Sequence, residues 1–151
     1  MAALTKPRLV PVKGEPCGLV RTLPVAAATK IYNGAIVMLD ASGNANPAAA
    51  ASGNNAFVVA GIAEETVDNS DGSAGDLSIR VKANCSESAY GFNNSGSAAC
   101  DASHVGKLAY ASDDNTVANA QTSTNRPLVG HIHSIDEDGL VYVTVPGRAL
   151  A

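Results

Sequence analysis

The residues best placed for chemistry stand together in the stretch HIHSIDEDG, residues 131–139. His131 and His133 are two apart. On a β-strand that spacing puts both imidazoles on one face, roughly 7 Å from each other. Two imidazoles so placed begin a transition-metal site, which needs a third ligand and an open position. Glu137, flanked by Asp136 and Asp138, is the nearest carboxylate outside the strand. The neighbouring residues point to a simpler reading. Val129, Ile132 and Ile135 are apolar positions of a strand, and DEDG is turn chemistry in which Gly139 is free to take positive φ.

The stretch also matches the core of the cupin signature, in which His-x-His is followed by Glu. Where cupins carry a glycine ahead of the first histidine, however, this chain has Asn125, and no histidine follows Glu137. The one other histidine, His104, lies upstream in a loop-like segment. There is no G-x-S-x-G elbow, no phosphate-cradling glycine loop and no H-E-x-x-H pair. The paired acids Glu64–Glu65 and Asp113–Asp114 fall at strand ends or in turns, where carboxylates are solvated. The sequence therefore reads as that of a non-enzyme, with no catalytic residues, no metal ligands and no cofactor. A cupin-like metal enzyme using His131 and His133 is the alternative from that class.

The elements that carry these residues are short and β-type. GLVRTLPV, AIVMLD, AFVVAGIA, LSIRVK, KLAYAS, PLVGHIHS and LVYVTV are apolar or alternating runs. Between them lie ASGN, ASGNN, DNSDGSAGD, SDDN and DEDG, rich in residues that accept positive φ or bond their own backbone. NPAAAASG (46–53) has room for one helical turn before Gly53 stops it. No segment shows helical periodicity with caps at both ends. This pattern predicts an all-β fold, a small antiparallel β-barrel or sandwich.

A weak internal repeat organises the strands. GAIVMLDASGNANPA, FVVAGIAEE and GDLSIRVK follow one another from Gly34; GKLAYASDDNTVANA, PLVGHIHS and DGLVYVTVP do so from Gly106. In each copy the middle strand passes through a glycine, Gly61 or Gly130. Two copies of one meander predict the two halves of a barrel. GIAEE then occupies the place of GHIHS, so the first copy has no histidine where the second has two. Between the copies, residues 83–105 read as a long polar insertion. Tyr90 and Phe92 are its only large apolar groups, which makes them candidate subunit-interface residues.

Ahead of the barrel domain (18–151), residues 1–17 read as an extended N-terminal arm. Pro7, Pro11 and Pro16 remove backbone donors, and the segment lacks strand alternation. Such an arm becomes ordered only against other surface. Charge is divided in the same way. Residues 1–30 carry Lys6, Arg8, Lys13, Arg21 and Lys30 against Glu15 alone, although the whole chain has a formal net charge of −4. A basic arm on an acidic body can dock on an acidic protein surface. Without aromatics in the arm, and with a body that repels phosphates, nucleic acid is not an expected partner.

Cys17, Cys85 and Cys100 cannot all pair within one chain, and reduced, buried thiols are the expected state. A Cys85–Cys100 bridge is the oxidised alternative. The start lacks the apolar core of a signal peptide, and no apolar run approaches the roughly 20 residues that span a bilayer. A protein made in the cytoplasm, without membrane association, is expected.

The arm followed by KIYNGAIVMLD, FVVAGIA, GKLAYASDDNTV, PLVGHI and GLVYVTV resembles the capsid cement, or head decoration, proteins of tailed bacteriophages. The resemblance covers most of residues 18–147. It implies a structural protein on the outer surface of the virion that bridges neighbouring major capsid protein subunits and stabilises the shell. It further implies a homo-oligomer, a trimer in the usual case and a dimer in others. On that reading Lys6, Arg8, Lys13 and Arg21 dock the arm on acidic shell surface. A carbohydrate-binding or tail-fibre β-domain is the remaining alternative. It would need exposed aromatics on a groove, and the chain offers only Tyr32, Phe57, Tyr90, Phe92, Tyr110 and Tyr142.

Overall fold

Alternating apolar residues bounded by Gly, Asn and Asp turns build thirteen short strands in the computed structural model, which describes residues 3–14, 18–84, 88–121 and 125–148. In chain order they are β1 (Val12–Gly14), β2 (Val20–Pro24), β3 (Thr29–Ile31), β4 (Ile36–Leu39), β5 (Ala45–Pro47), β6 (Val58–Ala63) and β7 (Val67–Asn69). They continue with β8 (Ser78–Lys82), β9 (Ser88–Asn94), β10 (Leu108–Asp113), β11 (Thr116–Ala118), β12 (Leu128–Ile135) and β13 (Val141–Thr144). The only helical elements among the described residues are two 3-10 turns, Asn54–Ala56 and Ala102–His104. The fold is all-β, as the patterning predicts. The helical turn expected within 46–53 is absent. Ala45–Pro47 extends as a strand instead, and the 3-10 turn starts only after Gly53, at φ +85.

The repeat is real, and each copy closes on itself. In the second unit β9, β13, β12, β10 and β11 are neighbours in that order, and a parallel β11–β9 pairing joins the two ends into a closed five-stranded barrel. In the first unit the order β2-β8-β6-β4-β5 is the same. Its ends meet at one parallel bridge, Val25 to Ala45. The registers match residue for residue. Val37 pairs with Gly61 and Met38 with Val59, leaving Ala60 as a bulge; Ala109 pairs with Gly130 and Tyr110 with Leu128, leaving Val129. Carried through β8 and β13, this places Arg80 with Tyr142 and Lys82 with Thr144. Across β2 and β9 it places Arg21 with Tyr90 and Leu23 with Phe92. The closing contact Val25–Ala45 then corresponds to Asn94–Val117. The two meanders thus make two barrel-like units, where the sequence pattern suggested two halves of one.

Burial follows this division. Val25, Val37, Ala45, Ala60, Ile79 and Val81 fill the first unit. Phe92, Ala109, Ala111, Val117, Val141 and Val143 belong to the second, whose cluster also takes in Ile36, Met38, Val59 and Ile62. Strand β4 therefore buries both faces, Val37 and Leu39 into its own unit and Ile36 and Met38 towards the other. This is why IVML is an unbroken apolar run. Backbone bonds stitch the units together: Ile36 N–H donates to Asp114 O at 2.8 Å, and Asn84 N–H to Val145 O at 3.0 Å.

The bulge glycines are required by close approach. A Cβ on Gly130 would lie 1.8 Å from the carbonyl oxygen of Thr144. One on Gly61 would lie 2.5 Å from that of Lys82, the equivalent residue, at φ +142. Gly130→Ala and Gly61→Ala should each cost about 3 kcal/mol or more in urea unfolding. Gly43→Ala has φ +82 but nothing within 4 Å of its Cβ, and should cost only about 1 kcal/mol. Equal losses at all three sites would show that contact across the bulge is not what selects glycine.

Candidate interaction surface

The histidine stretch resolves into a strand and a turn. His131 and His133 are both exposed on β12, and His131 stands where the first unit carries Ile62. His131 takes the position at which Ile62 packs between the units. His133 is the extra residue of a second bulge, because Ile132 pairs with Val143 and Ser134 with Tyr142. Its Nδ1 lies 3.0 Å from Ser134 Oγ. Both imidazoles face outward, with Ile132 buried between them. His104 caps its own 3-10 turn, Nδ1 accepting from Asp101 N–H at 3.0 Å. Among the described residues no three His, Cys, Asp or Glu side chains are grouped to hold a metal. Glu137 is exposed in the turn that Gly139 closes at φ +88.

Tyr90 and Phe92 do not lie on a surface loop. Residues 88–94 form β9, the strand that contacts β1, β11 and β13, and Phe92 is fully buried in the second unit's core. The SAYGFNN sequence hides this because Gly91 interrupts the pattern. The glycine is there to admit its neighbours: a Cβ on it would meet the Tyr142 ring at 3.1 Å and Pro11 at 3.2 Å. Tyr90 is also buried, and its phenol is pushed up to about 12 by burial and then by Glu64. The expectation that these two residues face another subunit is corrected: they are core of this chain. Cys100 is likewise a buried free thiol, pushed up to about 11 by burial. Cys17 and Cys85 lie outside the described residues.

The arm, too, is ordered against its own body. Arg8 N–H donates to Asn33 O at 3.0 Å, its Nε to Gly34 O at 3.1 Å and one Nη to Gly91 O at 3.1 Å. The guanidinium sits 5.2 Å from the centre of the Phe92 ring. Burial lowers its pKa to about 10, and the nearby Asp114 carboxylate opposes that shift. Asp114 also accepts Leu4 N–H at 2.8 Å. Farther along, β1 adds to β9, and Lys13 pairs with Asp136 and lies 4.5 Å from the Tyr142 ring centre. A carboxylate of the HIHSIDEDG turn therefore anchors the arm. Arg21 donates to Gly147 O at 2.5 Å. Of the four cations expected to dock on a partner, Arg8, Lys13 and Arg21 bond within the chain, and Lys6 is exposed.

What the arm leaves exposed is apolar. Leu9 is 92% and Leu19 84% exposed, with Val12 and Val20 at 41% and 52%. Leu9 and Val12 line a cleft of about 200 Å³ together with Lys82, and Lys82 pairs with Val20 in β8–β2, so Leu9, Val12 and Val20 share one side of the molecule. No signal in the sequence separates these side chains from core residues of the same type. No family model, curated protein or solved structure matches this chain.

Arg8→Ala would strand two backbone acceptors and empty the space over Phe92. It should lower stability by about 2–3 kcal/mol in urea unfolding. Arg8→Lys keeps the charge without the planar fork and should recover only part of the loss. Full stability in the alanine variant would mean that the arm is not held at this point.

Proposed function

We propose that the chain is a capsid cement protein, bound to the outer surface of a tailed-phage head after synthesis in the host cytoplasm and bridging neighbouring major capsid protein subunits as a homo-oligomer, most simply a trimer. The observation that carries this reading is the exposed apolar side formed by Leu9, Val12 and Val20, with Leu19 exposed next to Val20 in the chain. Exposed leucines and valines grouped on a chain with so few large apolar residues mark a docking surface. The two closed units supply a rigid support for that surface. Many identical contacts around a shell would reinforce one another through avidity, so each can be small. No enzymatic step belongs to this reading.

The basic arm takes a different part from the one its charge implies. Arg8, Lys13 and Arg21 brace the chain so that Leu9 and Leu19 are presented, and Lys6 is the cation left for an acidic shell surface. Deleting residues 2–16 would remove β1 and Arg8, so it tests stability and not docking. Point variants are the cleaner test. Expanded heads lacking the protein should take up the wild type in co-sedimentation, and Leu9→Asp or Leu19→Asp should lower occupancy about tenfold or more while melting as wild type. Light scattering of the free protein reads the oligomer directly. Heads that bind neither form, or both equally, would sink the proposal.

A carbohydrate-binding or tail-fibre domain has one observation in its favour. A polar cavity of about 390 Å³ is lined by Ser95, Ser97, Ser112, Asp113, Thr116 and Arg126. Ser112 Oγ and Thr116 Oγ1 are buried there without a hydrogen-bond partner among the described residues. It lacks the aromatic platform on which sugars stack. Titration with a panel of mono- and disaccharides should shift the Thr116 amide resonance on this reading, and an unmoved spectrum at high sugar concentration removes it.

A further inference from the structure

The two units differ at one backbone edge. In the second, the outer edge of β9 is covered by the arm: Val12 pairs with Tyr90, Lys13 with Ala89 and Gly14 with Ser88, and Gly91 N–H donates to Pro11 O at 2.8 Å. The equivalent residues of the first unit are Arg21, Val20 and Thr22 on β2, with Leu19 just before it. Strand β2 stands at the edge of its sheet. Ala83 N–H donates to Leu19 O and Val25 N–H to Leu77 O, so the odd-numbered residues between them face β8. By antiparallel alternation, Val20 and Thr22 then direct their N–H and C=O groups outward. No described residue pairs with them. The position that β1 fills in one unit is open in the other.

The side chains around that position say what would fill it. In the second unit Lys13 lies beside the Tyr142 ring and pairs with Asp136. In the first, Tyr142 is replaced by Arg80 and Thr144 by Lys82. Arg80 is held by Glu65, with Nε and Oε2 3.2 Å apart. Lys82 has no carboxylate partner among the described residues. Glu64 lines the same cleft as Lys82 without an ion pair to it, so among the described residues the side chain left unpaired at the open position is a cation, where the filled position offers the carboxylate of Asp136.

We propose that the outer edge of β2 binds an extended acidic segment of a partner protein, added antiparallel as a strand, with a carboxylate opposite Val20 that meets Lys82 and Arg80. The segment's backbone satisfies Val20 and Thr22, and apolar residues alternating with its acids lie on the face of Leu19 and cover it. The chain's own arm cannot serve from a second copy, because it presents lysine and arginine where the position calls for acid. This goes beyond the phage-head reading and holds for any partner that carries such a strand.

The test uses the full chain and synthetic peptides of about ten residues that alternate valine with glutamate or with lysine. Amide exchange is followed by NMR at Val20 and Thr22. The glutamate peptide should slow exchange at both amides and bind about tenfold more tightly than the lysine peptide. Lys82→Glu should erase or invert that preference. Thr22→Pro removes an outward N–H at a place where edge strands accept proline, and should abolish binding with little change in melting. Absence of protection with the glutamate peptide overturns the proposal, as does equal binding of the two peptides. Protection that rises with protein concentration alone also overturns it, by making a second copy the occupant. If Thr22→Pro unfolds the chain, the Lys82→Glu comparison still decides.

Discussion

The parallel contact that returns each unit's hairpin strand to its first strand is the constraint on which the structure depends. A sheet of five short strands leaves two rows of backbone groups unpaired unless its ends meet. Between β9 and β11 they meet along two residue pairs; in the first unit they meet at Val25 and Ala45 alone. A barrel this narrow has little interior. Ala109, Ala111, Val117, Val141 and Val143 pack in it around few large groups, Phe92, Tyr90 and Ile132. The abundance of alanine and the scarcity of aromatics follow from that geometry, because larger side chains would force the strands apart.

Closure also explains the bulges. Each unit must curl sharply along its middle strand, and an extra residue there adds twist. The bulge sets a glycine against the carbonyl of the paired strand, Lys82 in one unit and Thr144 in the other. Although hairpin lengths have diverged between the copies, this contact has the same register in both. The position that does vary is the outward neighbour of the glycine, Ile62 against His131. Where the face is covered by the other unit the residue is isoleucine, and where the face meets solvent it is histidine. The apparent metal ligand is thus a solvent-side variant of a packing position.

Much of this was legible in the sequence, and its limits were physical. The seven strands named from apolar or alternating runs all form, since each has at least one apolar face and turn chemistry at its ends. The repeat was visible because Gly61 and Gly130 are demanded by backbone contact, which tolerates no substitute. Strand β9 was hidden because its pattern is interrupted at Gly91, whose smallness serves Tyr142 and Pro11, distant in sequence. Strand β1 was hidden because its pairing with β9 is long-range and its prolines argue for an unpaired arm. The charge asymmetry suggested free valence, whereas Arg8, Lys13 and Arg21 bond within the chain. Lys13 and Asp136 lie 123 positions apart, and nothing local links them.

The remaining edge tests how far internal comparison can be carried. Exposed edge strands are ordinarily blunted by charge, proline or a covering segment. Strand β2 has Pro24 at its closed end, where Ala26 N–H already donates to Ala45 O. Its one charge, Arg21, is turned towards Gly147 O and Ala60 O and does not guard the edge. Leu19 and Val20 remain exposed at the open end. An edge left unprotected beside apolar side chains, in a chain that protects the equivalent edge with its own arm, is more economically explained by an absent occupant than by relaxed design. On the proposed reading, the change from the Asp136 carboxylate beside Lys13 to the cation Lys82 makes that occupant distinct from the arm itself.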